Sequence, residues 1–340
     1  MAMRHFLSTL DWSRQELQEI LDDARALRAT PLGTSLKDKS IALLFFNPSL
    51  RTRTTFELGA HQLGAKAIVL EPGKGSWPIE FDDGVVMDGD AEEHVAEVAR
   101  VLSGYVDAIA VRAFPKFQVW DEDRKDKVIQ AFARYASVPV INMETITHPC
   151  QELALMMTLQ DRFASQKQST DGKKLLVTWT YHPRPLNTAV ANSAVIIGAK
   201  FGFDVTLLCP TPEYTLDARY MDAAKNLCRE NSRTFTMSHN IEAAYAGADV
   251  VYAKSWGAIP YFGRWDAEKP IRDAHKHFMV DMNKMNSTPN ALFSHCLPLR
   301  RNIKATDEVM DSARAVHIEE ASNRLHVQKA LMTKLIGRVA

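Results

Sequence analysis

The densest group of reactive side chains follows the first long apolar run, at Phe46-Asn47-Pro48-Ser49-Leu50-Arg51-Thr52-Arg53-Thr54-Thr55. Asn-Pro breaks a strand, and Ser49 is of the type that caps a helix beginning near Arg51. A helix start carries unpaired N–H groups and the positive end of the macrodipole. Two arginines and three threonines there add charge and hydroxyl donors. Cations at that end oppose the dipole unless an anion is bound, so the residue types point to a phosphate-sized anion site. The plainer alternative is a capped helix with solvated arginines. Three more segments put polar groups where strands end or helices begin: Arg112 after a strand, His148-Pro149-Cys150-Gln151, and His295-Cys296-Leu297-Pro298. Singly, each has an ordinary reading as a surface arginine or a helix cap. The His-Cys pair has no second pair at ligand spacing, so no metal is expected.

These groups need a scaffold, and apolar periodicity supplies one. Ser13-Arg14-Gln15-Glu16 is a capping box opening a helix to about Ala29. Strands are expected over 41–46, 67–70, 108–112 and 138–142, with helices near 52–63, 92–102 and 126–135 between them. A second series follows the polar stretch 164–172: strands near 175–179, 204–208, 234–237, 250–253 and 291–295, and helices near 187–200, 220–230, 242–246 and 321–336. A helix near 149–163 bridges the two series. Buried strands alternating with helices imply α/β architecture: two doubly wound domains, each with a parallel sheet covered on both faces. An interdomain cleft is then the natural ligand site.

The 340 residues are enough for two domains, and 46% hydrophobic content for a substantial core. Lysine plus arginine number 41 and aspartate plus glutamate 41, giving a formal net charge of zero. That balance argues against a nucleic-acid binder or a membrane-surface protein, both of which rely on excess base. The longest apolar run is about six residues, far below a membrane span. The four cysteines are scattered, and no signal peptide is visible, so a soluble cytoplasmic protein is expected. No G-x-G-x-x-G follows a strand, and no G-x-x-x-x-G-K-[ST] exists, which disfavours a dehydrogenase or a P-loop ATPase.

Taken together, the reactive segments resemble the aspartate/ornithine transcarbamylase family. Ser49-Leu50-Arg51-Thr52-Arg53-Thr54 is similar to its Ser-x-Arg-Thr-Arg carbamoyl phosphate loop. The segments at 148–151 and 295–298 resemble its His-Pro-x-Gln and His-Cys-Leu-Pro motifs, and the resemblance covers essentially the whole chain. It implies a carbamoyl phosphate-binding domain at 1–150, a second-substrate domain at 151–321, and a C-terminal helix at about 322–340 packing back onto the first domain. It also implies a homotrimer with active sites shared between neighbouring subunits, and no cofactor. By this match Ser49, Leu50, Arg51, Thr52 and Arg324 hold the phosphate, and Arg112 and His148 polarise the carbonyl oxygen. Arg112, His148 and Thr52 form the catalytic set. Gln151 and the Cys296-Leu297 backbone hold the carbamoyl NH2, while Trp77 is lent by the adjacent subunit. Arg53 is read as structural.

The second substrate is read from departures. Enzymes of this family acting on ornithine carry Asp-x-x-x-Ser-Met-Gly, whose carboxylate holds a charged α-amino group. Here the stretch reads Ala253-Lys254-Ser255-Trp256-Gly257, with a lysine about where the carboxylate should be. Lysine opposite an ammonium would be repulsive, whereas an acylated, neutral nitrogen leaves the α-carboxylate for Lys254 to pair with. The ornithine loop Gly-Asp-Gly-x-Asn is replaced by Tyr181-His182-Pro183-Arg184-Pro185-Leu186-Asn187, stiffened by two prolines. The chain thus resembles the acylornithine branch, which implies a knotted second domain. It further implies carbamoyl transfer to the δ-amine of N-acetyl-L-ornithine in arginine biosynthesis. Glu144, Lys254 and Lys304 are the expected acetylornithine ligands, with a helix-capping acid and a solvated basic loop as the alternatives for Glu144 and Lys304. Glu92 would repel the extra carboxylate of a succinyl group and so favours acetyl; its alternative is a first-turn helix acid. N-succinylornithine and free ornithine are the rival substrates, and a non-catalytic anion-binding paralogue is the rival class.

Overall fold

A computed structural model describes residues 3–337; Met1, Ala2 and 338–340, the end of the expected C-terminal helix, lie outside the described residues. The chain divides into two compact units. The first comprises residues up to 115, 121–150 and 324 onward, and the second comprises 116–120 and 151–323.

Eleven strands are present among the described residues: β1 (Ser40–Phe45), β2 (Lys66–Leu70), β3 (Ile79–Glu80), β4 (Glu93–His94), β5 (Ala108–Arg112), β6 (Val140–Glu144), β7 (Lys174–Trp179), β8 (Asp204–Leu208), β9 (Phe235–Ser238), β10 (Val250–Lys254) and β11 (Leu292–Ser294). The helices are α1 (Arg14–Ala29), α2 (Leu50–Gln62), α3 (Val95–Tyr105), α4 (Trp120–Asp123), α5 (Lys127–Tyr135), α6 (Pro149–Ser165), α7 (Ala189–Lys200), α8 (Ala218–Glu230), α9 (Ile241–Tyr245), α10 (Trp265–Ala274), α11 (Met282–Asn286), α12 (Asp307–Met310) and α13 (His317–Ile336). The first unit builds a parallel sheet in the order β2-β1-β5-β6, and the second a parallel sheet in the order β11-β10-β7-β8-β9. In each sheet the chain runs outward from one strand and then reverses direction once. That reversal defines a doubly wound sheet and its switch point.

Central strands are buried on both faces, as their unbroken apolar runs require: β5 and the last five residues of β1 are wholly buried. Ala42, Leu44, Ile109, Val111 and Val140 pack with Val95, Ala99, Ile129 and Phe132 from α3 and α5 to form the core of the first unit. Shortening Leu44 to alanine there costs about 2–5 kcal/mol. In the second unit all twelve residues of α7 are buried. A Cβ on Gly198 would lie 2.5 Å from Leu175 Cδ2 and 3.3 Å from Val205 Cγ2, so this glycine lets α7 press against β7 and β8. No helix among the described residues is long and apolar enough to cross a membrane.

Three expectations need correction. Burial on both faces fails for β2 and β9, which lie at sheet edges and keep exposed positions. The strand expected over 138–142 starts at Val140 and runs to Glu144, because Pro139 has no N–H to contribute to the ladder. Glu92 is not a first-turn helix acid: it precedes β4, and α3 begins at Val95 with His94 as its cap.

Candidate active site

Ligands of doubly wound sheets sit beyond the carboxyl ends of the strands that flank the reversal. In the first unit those strands are β1 and β5, whose last residues Phe45 and Arg112 are register partners. The chain leaving β1 turns through Asn47-Pro48 into α2. Asn47 Oδ1 accepts a 2.7 Å bond from the Phe114 amide, and the Phe46 amide donates to the Arg112 carbonyl at 3.0 Å. These bonds tie the two strand ends together. Ser49 caps α2, its hydroxyl accepting from the Thr52 amide at 3.2 Å, and the first turn of α2 holds no acidic residue. Arg324, from α13, donates through Nη2 to Thr52 Oγ1 at 2.6 Å, and both residues are buried. Ser49, Leu50, Arg51, Thr52 and Arg324 thereby come together.

The expected hydroxyl array is only partly present. Thr54 and Thr55 donate their hydroxyls back to the Leu50 and Arg51 carbonyls at 2.8 and 2.7 Å, so neither is presented to an anion. Arg53 pairs with Glu57 at 3.4 Å and lies 3.9 Å from Glu71, in keeping with a structural role.

Arg112, Glu144 and His148 form one cluster. Arg112 Nη1 bonds to Glu144 Oε2, and His148 Nε2 lies 3.5 Å from the same oxygen. The Arg112 guanidinium stacks 4.5 Å from the Phe114 ring centroid, and its Nε is buried without a hydrogen-bond partner. Glu144 ends β6 and pairs with Arg112, so the helix-cap alternative does not hold. Trp77 and Glu92 stand apart from this cluster on exposed loop positions, Trp77 being 64% exposed.

In the second unit the reversal lies between β7 and β10, whose ends Trp179 and Lys254 are register partners. The proline-containing loop leaves β7 here, with the Thr180 amide donating to the Lys254 carbonyl at 2.9 Å. Lys304 is buried and places Nζ 3.2 Å from His295 Nε2, so the solvated-loop alternative for Lys304 does not hold. His295 Nδ1 bonds to the Cys296 carbonyl, which makes Nδ1 the protonated nitrogen and Nε2 the acceptor for Lys304. Burial, then the Lys254 charge, lowers the Lys304 pKa well below the usual lysine range. Burial pushes His182 down to about 4, with Lys304, Arg300 and Lys254 acting in the same direction. His295 is lowered well below its ordinary value, first by burial and then by Lys304 and Lys254. A neutral histidine pair and converging cations leave this end of the sheet poised for an anion such as a carboxylate. Gln151, in the first turn of α6, bonds through Nε2 to Glu320, and Leu297 is half-buried beside buried Cys296.

Sequence reasoning missed three contributors here. His182 and His295 lie inside segments it quoted, but a single histidine carries no sign of its burial. Glu320 was hidden in an acidic pair at a helix start, a pattern that normally reads as solvent-facing.

Two doubly wound units with anion-poised switch points define the class to which the comparisons point. The profile of the aspartate/ornithine carbamoyltransferase carbamoyl-P binding domain matches residues 4–161, and that of the Asp/Orn binding domain matches 161–335. The chain belongs to the aspartate/ornithine carbamoyltransferase family. Within it, the chain is 63% identical over 338 residues to the N-acetylornithine carbamoyltransferase of Xanthomonas campestris pv. campestris, covering 99% of each. An N-succinylornithine carbamoyltransferase of Bacteroides thetaiotaomicron is 35% identical over 88% of each chain. Among solved structures, acetylornithine transcarbamylase complexed with acetylcitrulline superposes with a TM-score of 0.97 at 63% identity, covering 99% of this chain and 100% of that one. A glutamate-to-proline mutant of N-acetyl-L-ornithine transcarbamylase, complexed with carbamyl phosphate and N-succinyl-L-norvaline, gives 0.96 at 62% identity, covering 98% of this chain and 100% of that one.

Proposed function

We propose that this chain transfers the carbamoyl group of carbamoyl phosphate to the δ-amine of N-acetyl-L-ornithine. The products are N-acetyl-L-citrulline and phosphate, in arginine biosynthesis. The observation that carries the reading is the identity to N-acetylornithine carbamoyltransferases, 62–63% against 35–36% for the succinylornithine enzymes. Lys254 supports it, since an acylated α-nitrogen is neutral and only the carboxylate needs a counter-charge, with buried Lys304 as a further N–H donor.

In this reading the cap of α2 and the Arg51, Thr52 and Arg324 side chains neutralise the phosphate. Arg112 and His148 polarise the carbonyl oxygen and stabilise the oxyanion that forms as nitrogen attacks carbon. Gln151 and the backbone at Cys296-Leu297 orient the carbamoyl NH2. Glu144 accepts from the amide N–H of the acylated nitrogen. The C–O bond to phosphate then breaks. The δ-ammonium, with an ordinary pKa near 10.4, first releases one proton to solvent to become the nucleophilic amine, and the leaving phosphate takes up the second proton, which the nitrogen sheds once its bond to the carbonyl carbon has formed. No covalent intermediate is needed, because the acyl phosphate is already activated, and catalysis is orientation plus charge stabilisation. We place the enzyme in the cytoplasm as a homotrimer, with Trp77 and Glu92 reaching the neighbouring subunit's site.

Purified protein assayed with carbamoyl phosphate and each of N-acetylornithine, N-succinylornithine and ornithine tests the reading. Expected is a kcat/KM preference for N-acetylornithine of about 100-fold or more over either rival. A preference for free ornithine overturns the Lys254 argument, and no turnover of any of the three favours the non-catalytic paralogue.

A further inference from the structure

Glu320 is the most deeply buried carboxylate near Gln151, with 1% exposure, and it stands in the first turn of α13. Three neutral groups donate to it: Gln151 Nε2 and the Tyr252 hydroxyl, at 3.0 Å, meet Oε1, and the Ser294 hydroxyl meets Oε2. Tyr252 and Ser294 are register partners on β10 and β11, so the sheet presents both hydroxyls side by side. The neighbouring Glu319 faces outward instead, accepting from Arg162 Nε at 2.7 Å. The helix dipole favours a negative charge at this position. Even so, an amide of the same size would fill the space with a smaller desolvation cost.

What the carboxylate adds is direction. A glutamine amide has a donor end and an acceptor end, nearly equal in shape, whereas an ionised carboxylate only accepts. Facing Glu320, Gln151 must therefore turn Nε2 inward, and its Oε1 points the other way. The carbamoyl NH2 is a donor and requires that oxygen; a flipped amide would set N–H against N–H. Tyr252 and Ser294 can rotate their hydroxyls to suit either arrangement, so they do not fix it.

We infer that Glu320 is a positioning residue that locks the Gln151 amide with its oxygen toward the carbamoyl nitrogen, selecting a carbamoyl phosphate over an acyl phosphate of the same shape. The inference rests on the nitrogen-binding role proposed for Gln151. Acetyl phosphate, with methyl in place of NH2 and the same phosphate, is the probe. The KM of carbamoyl phosphate and the inhibition constant of acetyl phosphate are measured for wild type, Gln151→Ala, Glu320→Gln and the swapped double variant Q151E/E320Q.

Expected for Q151A and E320Q is a rise of about tenfold in the carbamoyl phosphate KM, with acetyl phosphate inhibition moving less than about twofold. Parallel rises in both constants, or no rise in either, for E320Q would mean a purely structural role and overturn the inference. The swapped variant keeps volume, one carboxylate and one amide, so it remains informative should E320Q not fold. Its amide donates to the carboxylate now at position 151, which still offers an oxygen to the substrate. It is expected to hold the wild-type ratio of the two constants within about threefold, and loss of the preference overturns the inference. If Q151A leaves the carbamoyl phosphate KM unchanged, the proposed role of Gln151 falls and this inference with it. If Q151A weakens binding and E320Q does not, only the inference falls.

Discussion

Arg112 meets two demands at once: it is buried, and its charge is shared with Glu144 and stacked on Phe114. Such an arginine is held in place before substrate arrives, which is the condition for electrostatic catalysis. Replacing it with alanine should lower kcat by about 100-fold or more while circular dichroism stays native; surviving activity would remove it from the catalytic set. His182 gives a pH prediction. Its ordinary pKa is near 6.5, and in the folded chain it is about 4. The unfolded state therefore binds a proton that the folded state refuses. Its contribution is intact above pH 6.5, falls as pH drops towards 4, and levels off below. Urea unfolding midpoints at pH 7.5, 6.5, 5.5 and 4.5 should show this decline, and His182→Gln should make it shallower but not abolish it, since buried His295 and half-buried His326 contribute in the same sense. An unchanged slope in the variant would show that folding leaves the His182 pKa where it is in the unfolded chain.

At the scale of elements, α2 is a helix whose first turn works against its own dipole. It has Arg51 and no acid there, and its cap is Ser49. Ser49→Ala should cost about 1 kcal/mol of stability and, on the proposed reading that the same turn holds the phosphate, also weaken phosphate binding. Differential scanning fluorimetry with and without inorganic phosphate reads both effects: the wild type should gain about 2.7 kcal/mol at 100 times Kd, and the variant less at the same concentration. A full phosphate response in S49A would separate the cap from the anion site. The central strands of both sheets and the cap at Ser49 were legible because continuous apolar runs and Asn-Pro-Ser are strong local signals. The helix α10 was not, because Pro270 interrupts it and its buried face includes a Glu268–Arg272 ion pair that reads as surface charge. The two-residue strands β3 and β4 are too short to carry any periodicity. At the site, residue types at strand ends were legible from motif order. The Lys304–His295 contact, nine positions apart across an irregular loop, and the Glu320 network, which reaches 68 positions to Tyr252, were not, because neither leaves a periodic trace in local pattern.

For the whole molecule, the proposed sharing of active sites between subunits makes a prediction that single chains cannot. Trp77→Ala and Arg112→Ala should each be nearly inactive alone. Mixed after mild dissociation and reassembled, a trimer that shares sites should recover about a quarter of the wild-type sites, since each needs Arg112 from one subunit and Trp77 from its neighbour. No recovery would place both residues in one subunit's site. One feature also governs how the molecule comes into being. Thr52 lies near the start of the chain, and its buried partner Arg324 is 272 positions later. Lys329 likewise reaches back to the Leu27 and Pro31 carbonyls and the Gln62 side chain. At about 5–20 residues per second on the ribosome, tens of seconds pass between the two halves of this contact. The proposed phosphate pocket is thus closed late in synthesis, by α13. A chain released before Arg324 carries the arginine loop without its closing partner, so, on the proposed phosphate role, synthesis through α13 acts as a checkpoint for substrate binding.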